Sequence, residues 1–97
     1  MEKICKTTGI YMRKVIDKFG NVFYFNENNE FHREDGPAME HADGIKFWFR
    51  NNSYHREDGP AIEYADGEKE YWYNGVEYQE IKTDEEWKRF VKLIIFI

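Results

Sequence analysis

The sequence predicts a mainly β protein: an antiparallel β-meander of stacked hairpin repeats with one C-terminal α-helix packed on the sheet. Residues 31–53 recur as residues 54–76, with 13 of 23 positions identical. A repeat of this length is typical of stacked supersecondary units. Each unit carries tight-turn signals between short, aromatic-rich runs. After residue 82 the apolar spacing changes from a strand pattern to a helical one.

The second unit shows the predicted elements most clearly. Residues 60–64 start at a proline, which suits the first position of a strand, and the Asp-Gly pair at 66–67 predicts a hairpin turn. Residues 68–73 are rich in aromatics and form the expected return strand. The Asn-Gly pair at 74–75 predicts a second tight turn. The first unit repeats this order 23 residues earlier, with Asn-Asn at the second turn.

One domain covering residues 1–97 is expected from the length. The N-terminal strand Ile10–Ile16 should pair with Val22–Phe25 across a turn. The expected parts are an N-terminal hairpin with a partial repeat at 10–30, repeat 1 at 31–53, repeat 2 at 54–76, a degenerate cap at 77–82, and the helix at 83–97.

Aromatic residues recur at equivalent positions of the return strands. The two sets are Tyr24, Trp48 and Tyr71, and, one residue later, Phe25, Phe49 and Trp72. Because successive strand residues point to opposite faces, each set should form a ladder on its own face of the sheet. Something must then cover part of one aromatic face, and the C-terminal segment is the candidate.

The C-terminal segment carries helix signals. Thr83 and Glu86 fit a capping box, with Thr83 as the N-cap. The residues on the predicted apolar helix face are Trp87, Phe90, Val91 and Ile94. The apolar run 93–97 would be an aggregation hazard if exposed, so we expect it to be buried.

The charge distribution limits the classes of partner. Residues 26–80 hold 14 acidic and 5 basic residues, within a chain of net charge −5. An acidic middle argues against nucleic acid or a membrane as a partner and favours a protein with a basic surface. One cysteine, Cys5, allows no internal disulfide, and no signal or membrane-spanning segment is expected, so the prediction is a cytoplasmic protein.

The doubled His-Arg-Glu-Asp-Gly string contains the groups of acid–base or metal chemistry. A structural interpretation is favoured because the string occurs twice at a fixed spacing of 23 residues, whereas an active site needs only one set of catalytic groups. Structural roles exist for each member: Asx-type turns for Asp35 and Asp58, positive φ for Gly36 and Gly59, ion pairs for Arg33 and Arg56, and backbone hydrogen bonds for His32 and His55. No catalytic residue, metal or cofactor is therefore expected.

Residues 64–67 (YADG), 71–75 (YWYNG) and, less closely, 47–52 (FWFRNN) resemble the MORN (membrane occupation and recognition nexus) repeat, a β-hairpin unit of the same length. Where that repeat has His-Gly-x-Gly, this chain has HREDGPA, twice. The chain is thus similar to the variant HREDGPA repeats of small bacterial and bacteriophage proteins. Over about residues 20–80, the resemblance implies a hairpin scaffold for binding.

The leading functional hypothesis is a non-enzymatic protein-binding module, and analogy extends it to a phage or mobile-element accessory protein that inhibits a host defence protein. The alternatives are a small-molecule or nucleotide-sequestering oligomer and a small enzyme using one His-Arg-Glu-Asp cluster. Self-association through 93–97 or a sheet edge is also expected. The candidate binding residues are Trp48, Arg50, Tyr71, Tyr73, Glu68, Glu70, Arg33 and Arg56.

Overall fold

The computed structural model describes residues 2–7 and 10–95, which form antiparallel strands in hairpin order followed by one helix. This arrangement confirms the expected fold class. The elements are β1 Glu2–Thr7, β2 Ile10–Ile16, β3 Val22–Phe25, β4 Met39–Glu40, β5 Lys46–Phe47, β6 Phe49–Arg50, β7 Ser53–Tyr54, β8 Ile62–Glu63, β9 Lys69–Glu70, β10 Trp72–Tyr73, β11 Val76–Glu77 and α1 Asp84–Ile95. Within the described residues, no helix is long and apolar enough to cross a membrane.

The predicted return strand of each of the two full repeats is divided between two sheets. A seven-stranded sheet has the order β1-β2-β3-β4-β5-β8-β9, and β6-β7 and β10-β11 form separate two-stranded hairpins. Trp48 lies at the division in the first unit: its N–H donates to Ala61 of the large sheet, while its C=O accepts from His55 after the small hairpin. One long strand therefore serves both sheets, and its middle residue joins them.

The N-terminal hairpin forms as predicted, with β2 antiparallel to β3 and Val15 opposite Phe23. Strand β1 pairs along its length with β2. The sequence did not predict β1, because Glu2–Thr7 is polar and lacks the turn residues that mark the repeats.

The tight turns follow the glycine and asparagine signals. Asn51, Asn52, Asn74 and Gly75 all have positive φ, as the two-residue hairpins β6-β7 and β10-β11 require. Gly67 also has positive φ, at 95°, as does its equivalent in the first unit.

One of the two predicted aromatic ladders forms with additional members. The rings run in the order Phe25, Phe31, Phe49, Tyr54 and Trp72, with successive centroids 4.6 to 5.2 Å apart. Phe31 enters because it lies opposite Phe25 in an isolated antiparallel bridge, and Tyr54 enters because it lies opposite Phe49 in the β6-β7 hairpin. This stack holds the small hairpins together on one face.

The second predicted ladder needs a correction. Tyr24, Trp48 and Tyr71 hold equivalent positions, but each is covered by a group from the next loop or from the helix. The ring of Tyr24 contacts the guanidinium of Arg33, and Tyr71 contacts the indole of Trp87. These rings are spaced by intervening side chains, so they do not stack on one another.

Helix α1 packs on the end of the repeats. Thr83 Oγ1 accepts from the Glu86 amide, and Glu86 Oε1 accepts from the Thr83 amide, so the predicted capping box is confirmed. Trp87 and Val91 are buried and form a core with Tyr71. The expected apolar face therefore does cover the sheet.

Burial of the apolar run was predicted wrongly for two residues. Leu93 is 67% exposed and Ile95 is 49% exposed. Leu93 lies off the stripe set by Trp87 and Val91, since residues on one helix face recur every three or four positions. Ile95 keeps the four-residue spacing from Val91 but is the last residue of the helix. The last two residues of the run lie outside the described part of the chain.

Candidate functional site

Arg56, in the second HREDGPA loop, lies over the ring of Trp48. Its Cζ is 3.9 Å from the indole centroid. Its Nε donates to Asp58 Oδ1 at 2.9 Å, and its Nη1 contacts Pro60 O at 3.1 Å and Glu63 Oε2 at 2.9 Å. We term this arrangement the Arg56 clamp. The clamp connects the loop to Trp48, where the two sheets divide, and to Glu63 in β8 of the large sheet.

The first unit builds the same clamp around Arg33. Its guanidinium lies 4.0 Å from the centroid of Tyr24 and donates to Asp35 Oδ1 at 3.0 Å and to Pro37 O at 3.2 Å. Glu40 pairs with its Nη1 at 3.5 Å. The predicted ion pairs of both arginines are therefore confirmed.

The clamps correct two expectations about the loop. Gly36 and Gly59 do not take positive φ. They are needed because a Cβ would lie 3.0 Å from Arg33 Cζ and 2.9 Å from Arg56 Cζ, respectively. Asp35 and Asp58 bind the arginine Nε and form no backbone Asx turn. In each loop the guanidinium therefore lies directly against the glycine, where a side chain would otherwise stand.

Each loop histidine is a buried connector. His55 Nδ1 accepts from the Asn74 amide at 2.9 Å, so Nε2 carries the proton that faces Glu57 Oε2 at 3.2 Å. Burial lowers the pKa of His55 below its usual value, while the hydrogen bond to Glu57 opposes that change. The equivalent His32 Nδ1 accepts from the Asn51 amide. The predicted backbone hydrogen bonds of both histidines are confirmed.

The helix replaces the clamp that a third repeat would have supplied. One repeat after Arg56 the chain has Gln79, and the ring of Tyr71 is covered instead by Trp87 at 5.5 Å. Trp87 Nε1 donates to the Arg56 carbonyl at 2.8 Å, and Tyr71 OH donates to Asp84 at 2.7 Å. Burial and this hydrogen bond raise the pKa of Tyr71 well above its usual value.

An open groove of about 670 Å³ lies between the two HREDGPA loops. We term it the loop groove. Four of the predicted binding residues line it: Arg33, Trp48, Arg50 and Arg56. Its lining carries three guanidinium groups against the carboxylates of Glu34, Asp35, Glu57 and Asp58. Because every guanidinium already contacts a carboxylate, the groove is not a cationic pocket for an anion.

The other predicted residues lie elsewhere. Glu68, Glu70 and Tyr71 line a second groove of about 580 Å³, formed by residues of 66–71 and 77–82. The ring of Tyr73 contacts that of His55 in a tilted arrangement, with centroids 4.5 Å apart, and Tyr73 lines neither groove. The structure therefore divides the predicted site in two.

The sequence did not select the four loop carboxylates as binding residues. Each uses one oxygen inside the protein: Glu34 Oε2 and Glu57 Oε2 face a histidine, and Asp35 Oδ1 and Asp58 Oδ1 face an arginine. The second oxygen of each has no partner in the described part of the chain, and the four side chains are 46 to 77% exposed. The signal in the sequence was the Glu-Asp pair that occurs in both loops. Because the whole repeated string is interpreted as structural, this pair is not assigned to binding.

Among the described residues, no group of three or more His, Cys, Asp or Glu side chains could hold a metal ion. No family model, curated protein or solved structure matches this chain.

Proposed function

We propose that the protein is a non-enzymatic protein-binding module that uses the loop groove and its carboxylates to contact a basic partner. The observation that supports the proposal is that the two oxygens of each loop carboxylate have different surroundings. These carboxylates belong to Glu34, Asp35, Glu57 and Asp58. One oxygen is fixed by a histidine or an arginine of the same loop, and the other has no hydrogen-bond partner among the described residues.

Fixed carboxylates suit recognition because little side-chain freedom is lost on binding. Glu57 is held by both His55 and Arg50, and Asp58 is held by the Arg56 clamp. A partner's lysine or arginine would meet acceptors that are already oriented. The same pair recurs in the first loop, so one partner surface could engage both loops across the groove.

The chemistry of the partner follows from the charge. Residues 26–80 are strongly acidic, and the loop groove has more carboxylates than guanidinium groups. Complementary charge speeds association and gives it a strong dependence on ionic strength. We therefore expect a partner with clustered lysine or arginine side chains and an affinity that falls as salt is added.

The proposal is tested with the double variant Glu57→Gln, Asp58→Asn. Both amides keep an oxygen for the internal hydrogen bonds and remove the charge. The matched control is Glu27→Gln, Glu80→Gln, which removes the same charge at exposed positions that line neither groove. Affinity purification from the native host, followed by quantitative mass spectrometry and calorimetry of the recovered partner, compares the three proteins.

A basic partner retained by the wild type and the control, but bound about tenfold or more weakly by the loop variant, is the expected result. Equal retention of that partner by all three proteins would reject the loop groove as its binding site.

The family and setting of the protein belong to this proposal. We place the chain among MORN-like repeat proteins of the HREDGPA variant, on the motifs at 64–67 and 71–75 and the doubled loop. The similar repeats occur in small bacterial and bacteriophage proteins. By analogy, we propose that the partner is a host protein whose activity is inhibited on binding. Identification of the recovered partner tests this step.

A further inference from the structure

The last strand of the large sheet has an open edge. β9 is at the end of the strand order and pairs with β8 on one side only. The Glu70 carbonyl accepts from the Ala61 amide, so the backbone of Glu70 faces β8. Since backbone groups alternate sides along a strand, the amides of Lys69 and Tyr71 face away from β8.

In the earlier units an incoming strand satisfies these groups. The Tyr24 amide donates to the Ala38 carbonyl, and the Trp48 amide donates to the Ala61 carbonyl. Tyr71 is the third residue of this series, and its amide has no partner among the described residues. Residues 84–86, one repeat after 61–63, supply no strand because they begin helix α1.

The second groove lies where that third strand would be. It is lined by residues of 66–71 and 77–82 and has a volume of about 580 Å³. Its acidic residues are Asp66, Glu68, Glu70 and Glu77, and none of them forms an ion pair within the described part of the chain. Lys69 and Lys82 also line the groove, so four carboxylates face two ammonium groups. A backbone edge, a groove and a net negative charge therefore coincide.

We propose that this edge binds an extended segment of a protein partner, which adds a strand to β9. The site is separate from the loop groove, and the inference does not depend on the function proposed there. The outward amides of Lys69 and Tyr71 provide the hydrogen bonds; both residues line the second groove, although Tyr71 as a whole is only 3% exposed. The register of the earlier units defines the side chains that fit.

The register predicts a small–basic–acidic pattern in the bound segment. The residue opposite Tyr71 corresponds to Ala38 and Ala61, which are fully buried, so it must be small. The next residue lies opposite Glu70, whose oxygens accept from Tyr64 OH and Trp72 Nε1 but meet no cation in the described part of the chain. A lysine or arginine is therefore favoured at this position. The third lies opposite Lys69, as Glu63 lies opposite Lys46, and so should be acidic.

The probe for this site is a hexapeptide, acetyl-Gly-Pro-Ala-Lys-Glu-Tyr-amide. It copies residues 59–64 with lysine in place of Ile62. Amide chemical shifts of the ¹⁵N-labelled protein are followed as the peptide is added. We expect saturable shifts at Lys69 and Tyr71, and weaker binding of a peptide with glutamate in place of its lysine.

Lys69→Pro removes the outward amide without removing a bond to β8, and proline is tolerated on an open edge. Lys69→Ala is the matched control, because it retains the amide. We expect binding to fall about tenfold or more in Lys69→Pro and to change by less than about threefold in Lys69→Ala. A peptide N-methylated at its glutamate, which makes the same test on the unaltered protein, should also bind about tenfold more weakly.

The absence of saturable shifts at Lys69 and Tyr71 would overturn the proposal, as would equal binding of the N-methylated peptide. Shifts of the same amides that depend on protein concentration without peptide would assign the edge to a second copy of this chain, which also contradicts it.

Discussion

The histidine and arginine of each loop are connected to groups that the sequence places far away. His55 reaches the turn at Asn74, and Arg56 reaches Trp48 on the preceding strand. On the exposed side, Glu57 contacts His55 and Asp58 contacts Arg56. A motif with the composition of an active site is thus used to fasten a loop between two sheets.

The state of His55 makes stability depend on pH. Burial lowers its pKa in the folded protein below the usual value of about 6.5, so the unfolded chain binds a proton more readily. Its contribution to stability is fully present above about pH 6.5 and is lost as the pH falls from there towards the lower pKa of the folded state. Protonation also removes the acceptor for the Asn74 amide.

We therefore expect the urea midpoint of unfolding to fall between pH 7.5 and pH 5.5 (an interval around the ordinary histidine pKa of about 6.5). The fall should be smaller in His55→Gln, which does not titrate. An identical pH dependence in the two proteins would show that His55 carries no share of it.

Helix α1 acts as an end cap for the repeats. Terminal units of a repeat stack cannot bury both faces against neighbours, so they are usually atypical. Here Trp87 occupies the place of a third arginine and covers Tyr71 and Tyr78. Its indole is fully buried, whereas Leu93 on the same helix is mainly exposed.

Trp87→Ala should lower the free energy of unfolding by about 3–5 kcal/mol, because it opens a large cavity over Tyr71 and leaves the Arg56 carbonyl without its donor. Leu93→Ala is the control on the same helix and should change stability by less than about 0.5 kcal/mol. Urea unfolding followed by circular dichroism measures both. A large loss in Leu93→Ala would mean that the exposed end of the helix has a partner in solution.

Most of the fold could be predicted because its signals are local. The Asn-Gly pair at 74–75, the Asp-Gly pair at 66–67 and the capping box at Thr83 each fix a backbone shape through near neighbours. Strand β1 could not be predicted, because it forms mainly through its pairing with β2 and has no local sequence signal of its own.

The candidate site was harder to predict because it depends on contacts between units. The sequence left a nucleotide-sequestering oligomer as an alternative and offered Arg33, Arg50 and Arg56 as binding residues, but folding brings a carboxylate to each guanidinium. The same contacts orient the outer carboxylate oxygens, and a sequence does not show which oxygen of a carboxylate is occupied. The separation of Glu68 and Glu70 from the loop groove likewise follows from the sheet division at Tyr71.

At the scale of the whole molecule, the repeats form a row in which each unit is fastened to the next. The Arg56 clamp is the central fastening, since it touches Trp48 of the preceding strand and Glu63 of the following one. It is mostly buried, with 21% of its side chain exposed. The account therefore treats the doubled motif as architecture and leaves binding to its outer carboxylate oxygens and to the open edge of β9.

The free energy of unfolding of Arg56→Ala, measured by urea titration, tests this claim most directly. Removal of the guanidinium uncovers Trp48 and leaves Asp58 and Glu63 without their cation, so we expect a loss of about 2–4 kcal/mol. Stability within about 0.5 kcal/mol of the wild type, together with lost partner binding, would contradict the account and return the motif to the role of a functional site.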